Sequence, residues 1–208
     1  MKRTLTAITI LFASLPLSPA PADARTPSAY IGGLIGTAIP SPSKPDFGGV
    51  SGTVDYSTAY MAGIQGGFMS DGMLRLESEL SFWKLDTDTI TVGGRTYPLD
   101  NSGRITSLML NALLDFSPNE SVSPYVGAGI GVVSVSVNDG YVGRTLVWEG
   151  DNDSTTAYQL LLGFGILLTP QVTFDLGYRY LMTDELNFYS ADMTFKSHAL
   201  TIGLRSVF

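Results

Sequence analysis

The chain has 208 residues, of which 44% are hydrophobic and only 15% charged, with a formal net charge of -7; soluble domains carry about 25% charged residues. The acidic balance argues against a nucleic-acid partner, which calls for a basic footprint. The absence of cysteine excludes a disulfide framework and thiolate chemistry, and nothing after the first residues is apolar for the roughly 18 positions that a membrane-spanning helix needs.

The chain opens on Lys2 and Arg3, an apolar run over 5–17 and the small-x-small triplet Ala22-Asp23-Ala24. This is the pattern of a secretory signal peptide over 1–24. A single mature domain is expected over 25–208. Eight segments with a period of two follow, the signature of strands that show one face to an apolar medium. The first, 29–39, is glycine-rich and leaves its faces unassigned. The second, 56–69, sets Tyr56, Tyr60, Ala62, Ile64 and Phe68 against Gly63, Gln65 and Gly67. The third, 73–85, sets Leu74, Leu76, Leu80 and Phe82 against Arg75, Glu77, Glu79 and Trp83. The fourth, 104–116, opposes Leu108, Leu110, Ala112, Leu114 and Phe116 to Ser107, Asn111 and Asp115.

In the fifth, 124–137, Val126, Ala128, Ile130 and Val132 oppose Gly127, Gly129 and Gly131. The sixth, 156–168, opposes an apolar face from Tyr158 to Leu168 to Gln159, Gly163 and Gly165. In the seventh, 171–182, Val172, Phe174, Leu176, Tyr178 and Tyr180 oppose Thr173, Asp175, Gly177 and Arg179. The eighth, 195–208, puts Leu200, Ile202, Leu204 and Phe208 on one face and Thr201, Gly203 and Arg205 on the other.

Long connections (39–55, 86–103, 138–155 and 183–194) alternate with short ones. Antiparallel strands then carry every long loop at one end, as outer-membrane barrels do. A soluble up-and-down barrel would show the same alternation with its faces exchanged. Three features favour lipid outside: long aliphatic runs unrelieved by Lys or Glu on the apolar face, mid-strand acids and arginines on the other face, and aromatics near strand ends. The expected girdle is Tyr56, Phe68, Phe82, Phe116, Tyr125, Tyr158 and Tyr180. The fold expected is all-β, an eight-stranded antiparallel up-and-down transmembrane β-barrel in the bacterial outer membrane.

Pro124-Tyr-Val-Gly-Ala-Gly-Ile-Gly-Val132, Phe174-Asp-Leu-Gly-Tyr-Arg-Tyr180 and the segment 198–208 carry a family likeness. The chain resembles small outer-membrane barrels of the opacity-type porin, OmpX and outer-membrane protein A-like family over essentially all of its mature length. The resemblance implies that the last strand is read by the barrel-assembly machinery through Leu200, Ile202, Leu204 and Phe208; Ser206 departs from that pattern. The resemblance specifies the fold and says little of activity; the role expected is that of a surface structural, adhesion or antigen-type protein. The partners implied are outer-membrane lipid, lipopolysaccharide, and a host or envelope partner reached through the loops.

Eight strands enclose a space just wide enough for side chains to fill. The inward set read from the pattern is Gln65, Arg75, Glu77, Glu79, Asn111, Asp115, Gln159, Asp175, Arg179 and Arg205. Buried charges need partners, so a network of ion pairs and hydrogen bonds is expected to fill the lumen. The rival is a passive pore for ions or small solutes, for which the glycines of the fifth and sixth strands would leave room.

Catalysis is not expected. The single histidine, His198, shares its face with Leu200 and not with its neighbour Ser197, whereas a nucleophile needs a base beside it. Lipid A modification is the enzymatic alternative that the family resemblance brings. Gly127-x-Gly129-x-Gly131 lacks the spacing of a nucleotide loop. Glu149, Asp151 and Asp153 lack the spacing of a calcium loop. No cofactor is expected. Residues 87–97 alternate Thr with Ile and Val, so the third and fourth strands are expected to run beyond the membrane as a hairpin whose edges suit strand addition by a partner.

Overall fold

The computed structural model describes residues 28–43, 52–70, 72–118, 120–142, 145–148, 151–187 and 192–208. The expected leader over 1–24, Pro45, Gly48 and Gly49 of the first loop and Glu149 of the acidic run lie outside them. Eight strands form the wall: β1 (Ser28–Pro40), β3 (Ala59–Met69), β4 (Leu74–Val92), β5 (Arg95–Asp115), β6 (Val122–Val137), β9 (Asp151–Thr169), β10 (Val172–Thr183) and β13 (Lys196–Val207). Five short strands decorate one end: β2 (Gly52–Tyr56), β7 (Gly140–Val142), β8 (Thr145–Trp148), β11 (Leu186–Asn187) and β12 (Asp192–Met193).

Each wall strand pairs antiparallel with its sequence neighbours in the wall. The ring closes where β1 meets β13, in register from Tyr30↔Val207 to Pro40↔Ser197. The amide of Phe208 adds a bond to the Ala29 carbonyl at 2.9 Å. Closure leaves the wall without an edge, so its backbone groups are paired within the chain.

Short turns join the strands at one end. Ser70 closes the first by donating its amide to the Leu74 carbonyl at 2.9 Å, and Thr169 Oγ1 caps another by accepting the Val172 amide at 3.1 Å. At the opposite end β4 and β5 do not stop at the wall. They continue paired to Val92↔Arg95 and turn through Gly93 and Gly94, with φ of 59° and 77°. A two-residue loop with both φ positive matches the twist of the flanking strands, and only glycine adopts it freely. β2 covers one side of this projecting hairpin, from Gly52↔Val92 to Tyr56↔Thr87. On its other side Asp100 pairs with Tyr141 of β7, and β8 pairs with β7.

The outer face is apolar over the whole belt. Ile35, Ile64, Leu110, Ile130, Leu160 and Leu200 are each more than half exposed. A leucine-sized side chain left in water forgoes about 1.5–3 kcal/mol of burial. A continuous ring of them is stable only against lipid.

The interior has two layers. The half nearer the short turns holds charged side chains. The half nearer the long loops is apolar: Leu34, Met61, Trp83, Ile105, Met109, Val133, Leu181 and Phe195 pack together there. The strand pattern pointed to a lumen that is polar throughout, and this layer corrects it. Ile105, Met109 and Leu113 point inward on the same strand that points Ser107, Asn111 and Asp115 inward.

Two girdle assignments are also corrected. Tyr56 belongs to β2 rather than to a wall strand, and its ring meets Phe195 edge-on at a centroid distance of 6.4 Å. Tyr125 points into the lumen. Its position already shared the parity of Gly127 and Gly129. The connection expected over 86–103 is almost entirely strand, so β5 spans 21 residues rather than an ordinary crossing length.

Tyr125 explains two glycines. A Cβ at Gly163 would sit 2.6 Å from the Tyr125 hydroxyl and 2.3 Å from the Leu176 carbonyl oxygen; one at Gly177 would sit 2.7 Å from the same hydroxyl. The space that these glycines leave is therefore filled by a ring. Gly163→Val is expected to lower the stability of the folded barrel by about 1–3 kcal/mol, the usual cost of overpacking. Urea titration, with folded and unfolded barrels separated on an unheated gel, measures it; an unchanged midpoint refutes the packing argument.

Candidate functional site in the barrel lumen

All ten residues expected to face inward are buried. They lie in the lower part of the lumen, on β3, β4, β5, β9, β10 and β13. Arg75 is the hub. Its guanidinium grips Asp115 with two bonds, Nε to Oδ2 at 2.9 Å and Nη2 to Oδ1 at 3.2 Å. Its third nitrogen donates to Glu77 Oε2 at 3.2 Å. The planar fork of arginine suits such two-point binding. The Tyr30 hydroxyl donates to the same Glu77 oxygen at 2.6 Å. Asn111 Nδ2 donates to the other one at 3.1 Å, and Gln159 Nε2 donates to Asn111 Oδ1 at 2.6 Å.

Two further pairs flank the hub. Arg179 donates to Glu79, whose side chain is 1% exposed. Arg205 Nη2 donates to Asp175 Oδ1 at 3.2 Å. The rings of Tyr30 and Tyr125 lie beside the arginines: Arg75 stands 5.8 Å from the Tyr30 centroid and 5.0 Å from that of Tyr125, and Arg205 stands 5.4 Å from Tyr30. Gln65 borders the same group. The four acids Glu77, Glu79, Asp115 and Asp175 thus each meet one of three arginines. A buried charge left alone costs several kcal/mol, so the pairs form or the strands do not seat.

A cavity of about 20 Å³ lies among Gln65, Arg75, Glu77, Tyr125, Asp175 and Arg179, enough for one water. Asp175 Oδ2 and Arg179 Nε have no hydrogen-bond partner among the described residues. Toward the long loops the network gives way to Ser81 and Ser107, whose hydroxyls lie 2.6 Å apart, and to Trp83, whose indole nitrogen donates to Ser81 at 2.9 Å. Beyond them lies the apolar layer.

Tyr30 is the member that sequence reasoning missed, because both parities of the first strand carry glycine and apolar residues. Its distance in sequence from Glu77 left no local signal; the β1–β3–β4 register alone brings them together. His198 lies on the outer face near the loop end. Its Nδ1 is 2.6 Å from the Tyr178 hydroxyl, and its ring is 4.8 Å from that of Tyr180. It has no part in the lumen.

The family model described as "Outer membrane protein beta-barrel domain" matches residues 7–208. The chain belongs to this family. Its place is the bacterial outer membrane, and the opacity-type likeness holds among relatives. Opacity protein opA55 of Neisseria gonorrhoeae is 28% identical over 124 residues, 49% of this chain and 51% of that protein. An uncharacterised protein of Brucella abortus (strain 2308) is 26% identical over 157 residues, 62% of this chain and 54% of that protein. The chain thus spans about half the length of the curated relatives it matches.

Among solved structures, Neisserial surface protein A aligns with a TM-score of 0.55 at 20% identity, over 86% of this chain and 97% of that one. The outer membrane protein OprG from Pseudomonas aeruginosa aligns with a TM-score of 0.55 at 14% identity, over 88% and 97%. These likenesses concern the fold.

In this outer-membrane barrel the Arg179–Glu79 pair is deeply enclosed, with side chains 5% and 1% exposed. Arg179→Met is expected to destabilise by about 3–5 kcal/mol, because it strands the Glu79 carboxylate. Adding Glu79→Gln is expected to restore most of the loss. Urea midpoints of the single and double variants in detergent provide the test, and equal losses in both would remove the pairing argument.

Proposed function

We propose that the chain is a plugged, non-catalytic surface protein whose barrel holds up an extracellular β-sheet for contact with a host or envelope partner. The observation that carries this reading is the projecting sheet, in the order β2-β4-β5-β7-β8. A membrane crossing takes roughly 9–11 residues of tilted strand, and β4 and β5 with 19 and 21 far exceed it. Rigid scaffolds commonly carry function on what they project. Strand addition by a partner is directed to the β5 side of the hairpin tip. The β4 side is already occupied by β2, whose own outer side carries a bridge from Val54 to Ser43.

A passive pore is the second reading. The paired lumen charges, the Tyr125 ring over Gly163 and Gly177, and the apolar layer weigh against it. The lumen network of Arg75, Glu77, Glu79, Asn111, Asp115, Asp175, Arg179 and Arg205 serves, in this proposal, to fill and brace the wall. Leu200, Ile202 and Leu204, all on the outer face, together with Phe208, serve as the signal to the barrel-assembly machinery.

Purified barrel reconstituted in planar bilayers is expected to show no steady conductance steps; sustained opening would favour the pore. Replacing residues 87–101 by a two-residue turn is expected to abolish adhesion of expressing cells and leave heat-modifiable gel migration intact. Adhesion that survives the deletion would overturn the role of the hairpin.

A further inference from the structure

Two cations face each other on the membrane side of the wall. Lys84 of β4 and Arg104 of β5 are directly opposed in register, and both point outward. Directly opposed side chains have Cβ atoms about 4.5–5.5 Å apart, and like charges there repel. Asp86 answers only part of this charge: it stands 3.8 Å from Lys84, with both side chains more than half exposed. Arg104 has no ionic or hydrogen-bond partner among the described residues. An anion placed between the two would relieve that repulsion.

Their level in the membrane identifies the anion's source. Along β4 the outward series runs Leu74, Leu76, Ser78, Leu80, Phe82 and then Lys84. About ten residues of tilted strand cross the hydrocarbon, so Lys84 emerges at the outer headgroup level. Just beyond, at Gly103, β5 parts from β6 and leaves the wall. Phosphate groups of the outer leaflet lie at this height.

A second feature joins the pair. One register row runs from Leu200 to Thr37, Tyr60, Lys84 and Arg104. At its lower end, Ile35, Thr37, Tyr60, Leu176, Leu200 and Ile202 line an apolar trough of about 490 Å³ on the outer face. Tilted strands make such a row climb through the membrane. The trough therefore sits in the hydrocarbon, Tyr60 marks its upper rim, and the cations stand above it.

We propose that this row is a lipid site, in which Lys84 and Arg104 hold the phosphate of an outer-leaflet lipid and the trough takes one of its acyl chains. The site needs only the membrane barrel and is independent of any role of the projecting sheet. It places a phosphomonoester lipid above a zwitterionic one, because a more negative headgroup gains more from two opposed cations.

Native mass spectrometry of the folded barrel, released from micelles doped with lipid A or with phosphatidylcholine, tests the site. The wild-type barrel is expected to retain lipid A in preference to phosphatidylcholine. Lys84→Gln with Arg104→Gln is expected to weaken lipid A retention about thirtyfold, from two basic residues at an anionic surface. Arg104→Gln alone is expected to weaken it about fivefold and serves if the double variant fails the heat-modifiability check for folding. Lys196→Gln, which removes another exposed cation from β13, is expected to have no effect. Leu200→Trp, which fills the trough, is expected to weaken retention with both cations in place. Equal retention by the double variant, or no preference over phosphatidylcholine, would overturn the proposal. So would displacement of the lipid by millimolar inorganic phosphate with no effect of Leu200→Trp, which would make this a simple anion site.

Discussion

In the hydrocarbon of a bilayer, a backbone amide or carbonyl without a partner costs several kcal/mol, and no water is available to relieve it. The pairing of β1 with β13 answers that constraint and the other features of the molecule depend on it. An open sheet of the same eight strands would expose two long edges to lipid. With Tyr30↔Val207 through Pro40↔Ser197 in register, the edges vanish and the inside is separated from the outside.

Closure creates a narrow interior, and the interior sets its own demands. Four carboxylates and three guanidiniums converge in a space that only side chains can fill. Each charge is affordable because the ring places an opposite charge against it. Arg75 reaches both Asp115, forty positions away in sequence, and Glu77, two positions along its own strand. Aromatic rings complete the filling: Tyr30 and Tyr125 lie against the arginines, Tyr125 where Gly163 and Gly177 leave room. Above this layer the lumen turns apolar, with Trp83 bridging the two through its hydrogen bond to Ser81. A polar layer and a greasy layer in series leave the wall braced at two heights.

The same closure that ends the wall's edges frees the strands beyond it. Beyond the last β5–β6 pair at Gly103, β4 and β5 continue paired with each other, flanked by the small strands β2 and β7. The tip is possible because Gly93 and Gly94 accept positive φ. A barrel that anchors such a sheet and also presents an opposed pair of cations at the headgroup level touches two environments, the lipid leaflet and the space outside it.

How much of this was legible depended on whether the signal was local. The alternation of Leu200, Ile202 and Leu204 with Thr201 and Arg205 is enough to define a strand with one lipid face, because side chains in a strand alternate whatever the strand pairs with. The same parity placed Arg75, Glu77, Glu79, Asp175 and Arg179 on the inner face, and the Thr and Ile run over 87–97 announced the projecting hairpin. Parity also held the answer for Tyr125, which the general preference of aromatics for membrane interfaces obscured. What alternation cannot carry is register. Which acid meets which arginine, the partnership of Tyr30 with Glu77, the departure of Tyr56 into a strand outside the wall and the opposition of Lys84 to Arg104 all follow from how far each strand is shifted against the next. The sequence by itself determined a membrane barrel of eight strands, its lipid face and the charged residues inside. The tertiary structure decided who is opposite whom, because register is set jointly by all eight strands when the ring closes and by none of them alone.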